Sequence, residues 1–315
     1  MINKLLNSIF IGQPKVSDNI LMYPLYHNQN NFGKAFKPLK KAVEDGSVII
    51  SEKEPSPDVN ELVLENLDNE PVFIMDGEYL FGAKQDRTVN LSVLVPGNTI
   101  INLPVSCVEA GRWSAPRKNS FNSYDKLHFA KAKAARHASV SRSLNELNIA
   151  ESNQREVWDD IRRKEATMRQ HSQTHSMKSL YQCNERKLDI ISKTLNADDK
   201  QIGSLFCLNN EVIGFDIFSS PDLHKFYSPM ITKSVAIDSL EMPGKLEKPP
   251  REMLKEAQRF LDAVKGLGEK KFDSVGLGSV FRGFSKYITA SSLVFKETDI
   301  HACAFLIDNK KAIGR

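Results

Sequence analysis

The pattern of apolar and polar positions divides the chain into three stretches. From residue 19 to residue 108, short runs rich in Val, Ile and Leu are separated by Asp45-Gly46, Asp68-Asn69, Asp76-Gly77 and Pro96-Gly97. Apolar runs of this length, punctuated by turn dipeptides, predict β-strands at 20–26, 47–52, 61–67, 71–75, 88–95 and 99–108. The partial alternation in Leu62-Val63-Leu64-Glu65-Asn66 suits a strand buried on one face. Many short strands joined by tight turns predict an antiparallel sandwich, with one short helix inside it at 36–44.

The period changes after Trp113. Residues 114–122 are polar, contain Pro116 and read as a loop. A helix is expected over 123–148, where Leu127, Ala130, Ala134 and Ala138 form one stripe. Two more are expected over 154–168 and 176–195, the second capped by Ser176. Strands resume at 204–208 and 212–218, around the turn Asn209-Asn210. Pro221 opens a short helical segment, and 243–250 is a loop. Met253, Leu254, Ala257, Phe260, Leu261 and Val264 then mark the most regular helix, which Gly266 ends. The remainder, 273–308, reads as three short strands. Strands, then helices, then a mixture point to an α+β fold. Its organisation is a sandwich-like β-rich portion at 1–113, a basic helical portion at 114–200, and a mixed αβ portion at 201–315. The last packs on the first, so that the three make one intertwined domain.

Composition adds limits. A 315-residue chain that is 41% hydrophobic can build its own core without disulfides or a structural metal. Cys107, Cys183, Cys207 and Cys303 have no C-x-x-C spacing, which argues against a zinc knuckle and fits a reducing compartment. The N-terminal apolar run is short and broken by polar residues, so no secretory signal is read, and no run is long enough to span a membrane. The expectation is a cytoplasmic protein with no membrane partner. A net charge of +4 neither demands nor excludes a polyanion.

Four segments could carry chemistry. Residues 76–87 crowd Glu78, Lys84, Gln85 and Arg87 between two apolar strands, a combination suited to acid/base work or anion binding, or to surface ion pairs. Residues 104–113 hold Cys107, which would be a nucleophile if cations lowered its pKa and is otherwise a small buried hydrophobe. Glu109 and Arg112 in the same segment are candidates for ligand contact, and Trp113 can stack on a ring or plug the sandwich. The third segment runs from Arg112 to Arg142 and includes Arg117, Lys118, Lys126, Lys131, Lys133 and Arg136. Its face of Lys126, Lys133 and His137 suits phosphate, or is a solvated helix face. Few aromatics interleave it, so nucleic acid is not the expected partner. The fourth, residues 276–283, lacks both the P-loop and dinucleotide spacings and reads as a turn. His171 and His175 lie in a polar loop, and His301 near Cys303 reads as a satisfied core histidine. No cofactor and no metal site is expected.

Taken together, Tyr23-Pro24-Leu25, Asp76-Gly77-Glu78, Gly82-Ala83-Lys84-Gln85-Asp86-Arg87 and the run 104–113 resemble a bacterial, archaeal and phage-associated domain family. That family is named for its association with ADP-ribosylglycohydrolases and rhodanese/phosphatase-like proteins. Val140-Ser141-Arg142-Ser143-Leu144, Glu156-Val157-Trp158, Gln201-Ile202-Gly203 and Gly214-Phe215-Asp216-Ile217-Phe218 extend the likeness over about 20–260. Tyr79-Leu80-Phe81 is bulkier than the family pattern. The resemblance implies binding, or binding and processing, of an ADP-ribose, NAD-derived or other phosphorylated nucleotide, in a setting such as anti-phage defence. On that reading Lys84, Gln85, Arg87, Arg112, Trp113 and Arg142 hold the ligand, and Glu78, Glu109 or Cys107 serves any chemistry. The alternative is a non-catalytic module that binds a protein partner in a defence or regulatory complex.

Overall fold

The computed structural model describes residues 2–28, 32–113 and 120–307. The fold is α+β. Among the described residues the helices are α1 (Ile2–Asn7), α2 (Leu39–Glu44), α3 (Ala130–Leu147), α4 (Gln154–Met168), α5 (Met177–Thr194), α6 (Pro221–Glu241) and α7 (Pro250–Lys265).

A nine-stranded antiparallel sheet forms the frame. Its order is Ile9–Ile11, Ile20–His27, Gln201–Leu208, Glu211–Phe218, Thr298–Leu306, Ile288–Phe295, Ser279–Phe284 and Glu269–Asp273, with Lys15–Ser17 also paired to Ile20–His27. The central strands are apolar almost without interruption because both faces are covered. Leu21, Tyr23, Leu205, Phe215 and Ile217 pack on Met253, Ala257 and Phe260 of α7. Met22, Phe206, Leu208 and Phe218 pack on the other side, against α5 and α6 through Leu188, Tyr227, Met230 and Ile231. The strand Ile20–His27 therefore lies beside C-terminal strands rather than with its sequence neighbours.

The remaining N-terminal strands build two smaller sheets. One is ordered Phe121–Leu127, Glu78–Gly82, Arg87–Val89, Thr99–Cys107, Glu61–Asn66 and Val48–Ser51. The other joins Val93–Val95, Val72–Ile74 and Lys37–Pro38, the last pair being parallel. The single strand expected at 88–95 is thus two. The chain breaks at Asn90–Ser92 because those side chains bond outward: Asn90 Nδ2 donates to Ala150 O at 3.0 Å, and Ser92 Oγ accepts from Asp76 N–H at 2.9 Å. This lets the chain leave one sheet and join another.

Four further differences have local causes. The helix expected over 123–148 begins only at Ala130, and Phe121–Leu127 is an edge strand, polar because one side faces solvent. Pro116, Arg117 and Lys118 lie outside the described residues. The short segment at Pro221 is a 21-residue helix, capped by Ser220 and containing Pro229. It is buried on most sides, so no amphipathic stripe marked its length. Helix α2 is shorter than expected because Lys37–Pro38 pairs as a strand. The tail holds four strands, Glu269–Asp273 being the one missed. Elsewhere Ser176 caps α5 through Lys178 N–H as expected. Asn209 and Asn210 both take left-handed backbone conformations in their turn.

Candidate functional site

The two motif segments meet at one end of the six-stranded sheet. Register places Cys107 opposite Arg87 and Thr88 opposite Tyr79, so the turns at 83–86 and 108–113 project together. Gly82 has φ +134°, and a Cβ there would come within 2.5 Å of Ser120 O, so the tight turn requires glycine. The turn is then locked by side chains. Gly82 N–H donates to Asp86 Oδ1 at 3.1 Å, and Lys84 N–H donates to Glu52 Oε1 at 3.2 Å. Gln85 Nε2 donates to Glu109 O, and Tyr79 O–H donates to Asp86.

Arg112 is the clamp between the two turns. Its Nε donates to Glu109 Oε2 at 2.8 Å, Nη1 to Ala83 O at 2.6 Å, and Nη2 to Asp86 Oδ1 at 3.0 Å. Arg87 is fully buried beneath Trp113. Its Nη1 donates to Gln85 O at 2.7 Å, and Nη2 lies 3.8 Å from Glu52 Oε1, beyond hydrogen-bond reach. Nε and Nη2 of Arg87 and Oε2 of Glu52 have no hydrogen-bond partner. Trp113 is 51% exposed. It has the Lys84 ammonium 5.5 Å and the Arg87 guanidinium 5.8 Å from its centroid, both within cation–π range. The structure therefore gathers Lys84, Gln85, Arg87, Glu109, Arg112 and Trp113.

Three other candidates stand apart from that group. Glu78 neighbours Tyr79 on a strand, so the two point to opposite faces. It is buried against α6, where Oε2 accepts from Met75 N–H at 3.1 Å and Tyr227 O–H at 3.2 Å, and Oε1 accepts from Ser123 O–H at 3.1 Å. Burial pushes its carboxyl up to about 7 despite those hydrogen bonds. Cys107 is buried, its backbone clasped by both ends of the Gln154 amide at 2.7 and 2.8 Å. Burial pushes its thiol up to about 12 although Arg87 opposes the shift, which is the reverse of nucleophile activation. Arg142 is exposed on α3, and among the described residues no hydrogen bond or ion pair ties it to the group.

The basic face of α3 is neither a solvated face nor an open phosphate site. Lys133, Arg136 and His137 are buried between the sheets, at i, i+3 and i+4 spacing. Lys133 Nζ lies 3.0 Å from Asp216 Oδ1, which also sits 3.2 Å from His301 Nε2. Ser92 Oγ holds His301 Nδ1 at 2.8 Å. Arg136 pairs with Asp76 Oδ1 and donates to Asn90 Oδ1 at 3.1 Å. His137 is held by Thr289 Oγ1 at 2.7 Å on Nδ1 and by Ser291 Oγ at 2.8 Å on Nε2. Gly77, at φ +87°, allows the Asp76 turn to press on Lys133, whose Cδ would be 3.2 Å from a Cβ. Burial, reinforced by nearby Arg282, Arg136 and Lys133, drives His137 well below its ordinary value and keeps it neutral.

Residues 8–305 match the family model of the ARG and Rhodanese-Phosphatase-superfamily-associated Protein domain. The chain belongs to this family. No curated protein and no solved structure matches it. The family match extends the likeness through the tail strands, so it includes both the motif turns and the buried polar centre of this associated-protein domain. Within the domain, two groups of donors are close enough to share an ion: Asp76, His137 and Cys303, and Asp216, His301 and Cys303. Asn90, Ser92, Arg282, Thr289 and Ser291 were not singled out by the sequence reading, and Asp76 and Asp216 entered it only inside motif runs, with no role. The signal available was a charged or hydroxyl side chain within a run otherwise apolar enough to be buried. No helix of the described residues is long and apolar enough to cross a membrane.

Proposed function

We propose that the domain binds a phosphorylated nucleotide of the ADP-ribose or NAD-derived class at the Lys84–Trp113–Arg87 cluster. The observation that carries this reading is a half-exposed indole flanked by two cations, one with a buried and unpartnered donor edge. A base can stack on the free face of Trp113. A phosphate can reach Lys84 and, with a swing of the indole, the Nε and Nη2 edge of Arg87. The family's association with ADP-ribosylglycohydrolases supports the ligand class. Turnover is not part of the reading. Glu109 is engaged by Arg112, Glu78 faces α6, and Cys107 is buried with a raised pKa.

Thermal shift against ADP-ribose, NAD and nucleoside phosphates tests it. A ligand at ~100 times its dissociation constant stabilises by about 2.7 kcal/mol. Trp113→Ala and Lys84→Ala should abolish the shift while leaving the unliganded melting temperature nearly unchanged. No shift with any ligand, or one that survives both changes, overturns the reading.

One observation favours a second reading, that of a non-catalytic module for a protein partner. Arg112 spends its donors on Glu109, Asp86 and Ala83 O, and Glu52 lies 3.8 Å from Arg87, so carboxylates offset the charge of both arginines. Failure of the ligand screen followed by retention of a partner that requires Trp113 would favour it.

A further inference from the structure

We propose that Asp76, His137 and Cys303 form a buried site for a transition-metal ion, with Zn2+ the ion their donors suit best. It is built from other residues than the Trp113 cluster and does not depend on the function proposed there. The three donors come from separate parts of the fold. Asp76 lies in the turn after Val72–Ile74, His137 on α3, and Cys303 in the strand Thr298–Leu306 of the large sheet.

Geometry is the first support. The three ligand atoms lie within 4.8 Å of one another. Asp76 Oδ2 is 3.8 Å from His137 Nε2, and Cys303 Sγ is 3.8 Å from the same nitrogen. Tetrahedral zinc with nitrogen near ~2.0 Å and sulfur near ~2.3 Å holds neighbouring donors roughly 3.4–3.6 Å apart. For these two pairs a contraction of a few tenths of an ångström would reach that spacing. Thiolate, imidazole and carboxylate are each ligand types that zinc takes.

The second support is independent of spacing. Asp76 Oδ2 is buried and has no hydrogen-bond partner, while Oδ1 is taken by Arg136. An unpartnered buried carboxylate oxygen is costly, and a cation is a partner that satisfies it. The surroundings are also arranged as an outer shell. Thr289 Oγ1 at His137 Nδ1 can fix the tautomer that leaves the Nε2 lone pair inward. Arg282 Nη1 donates to Ser141 Oγ at 2.8 Å, and Ser141 Oγ lies 3.3 Å from Thr289 Oγ1, which steadies that shell. Ser291 Oγ, 2.8 Å from Nε2 and 3.4 Å from Cys303 Sγ, is the group the ion would displace.

The alternative set of Asp216, His301 and Cys303 shares the sulfur but is already satisfied, because Asp216 Oδ1 holds Lys133 and His301. That pairing also offsets the charge of Lys133. Binding exchanges the Cys303 S–H proton for the metal and releases that proton to solvent, so affinity should fall as pH falls. With every donor buried, the ion would act as a tie between the smaller sheets, α3 and the large sheet.

The test is metal analysis of protein purified without chelator, followed by stripping and titration with Co2+. The expected result is about one equivalent of Zn2+ as isolated. Co2+ should give a thiolate-to-metal absorption band that is lost in folded Cys303→Ala and kept in Cys183→Ala, which removes an exposed thiol. Where Cys303→Ala does not fold, Asp76→Asn, which preserves volume, must weaken Co2+ binding by at least ~10-fold. Absence of both bound zinc and a cobalt–thiolate band in the unmodified protein overturns the proposal. So does a band that survives in folded Cys303→Ala, or unweakened binding in Asp76→Asn.

Discussion

Glu78 offers a direct measure of how dry the space beneath α6 is. Its carboxyl is fully buried and is pushed from an ordinary 4.5 to about 7, burial outweighing the hydrogen bonds from Met75, Ser123 and Tyr227. Between those two pH values the native state holds a proton that the unfolded chain has lost, so stability falls as pH rises. At about 1.4 kcal/mol per pH unit, the loss accumulated from pH 4.5 to pH 7 is roughly 3 kcal/mol. It is absent below pH 4.5 and complete above pH 7.

Glu78→Gln removes the titration and keeps the contacts. An amide oxygen can accept from Met75 N–H and Tyr227 O–H, and the amide nitrogen can donate to the Ser123 hydroxyl. Urea unfolding of both proteins between pH 4.5 and pH 8 isolates this group, since other titrations cancel in the difference. The variant should match the parent near pH 4.5 and exceed it by roughly 3 kcal/mol above pH 7. A difference that does not change across this range would refute the reasoning, because it would mean that water or a counter-charge reaches the carboxylate.

Four further tests probe the two clusters and their surroundings. Arg112→Ala leaves Glu109 and Asp86 without their shared cation and should cost about 3–5 kcal/mol of stability, read by chemical denaturation. Lys84→Ala should cost less than about 0.5 kcal/mol in the same assay, because Lys84 is part-exposed and its ammonium is engaged mainly with the Trp113 ring. Iodoacetamide at neutral pH should label exposed Cys183 and leave Cys107 unmodified in peptide maps of the folded protein; rapid labelling of Cys107 would contradict its burial and raised thiol pKa. Gly77→Ala forces a left-handed φ on alanine beside the Lys133 side chain, so a loss of about 1–3 kcal/mol is expected in thermal or urea unfolding.

Sequence signals worked where a single local rule governed the outcome. Helix α7 has one apolar face and one polar face, so its period was legible, and Ser176 marked the start of α5 by its capping chemistry. They failed where tertiary context supplied what the local pattern lacked. Phe121–Leu127 carries Asn122, Ser123 and Asp125, yet pairs with Glu78–Gly82 as an edge strand. Helix α6 crosses the interior and is apolar on most sides, so neither a stripe nor Pro229 revealed its extent. Helix α3 was found from its alanines, but it starts later because the chain before it is committed to the sheet.

The two clusters also differ in how they could be read. Lys84 to Arg87 and Glu109 to Trp113 are compact in sequence, so their concentration drew attention, and adjacent strands then brought the two runs together. The buried centre is assembled from partners far apart: Lys133 reaches Asp216 across 83 residues, and Arg136 reaches Asp76 across 60. From sequence, Lys133 and Arg136 belonged to a basic stretch that read as a phosphate-holding or a solvated face, because their carboxylates lie elsewhere in the chain. The informative feature was on the other side of the pair. Asp216 stands between Phe215 and Ile217, and His301 between Ile300 and Ala302, in strands too apolar to face water. A charge placed there must meet an opposite charge, a hydrogen-bonding network or an ion, since leaving it alone costs several kcal/mol by order of magnitude. Asp216 meets Lys133 and His301. Asp76 keeps one oxygen without a partner, and that remaining oxygen points to an ion as the missing member of the network.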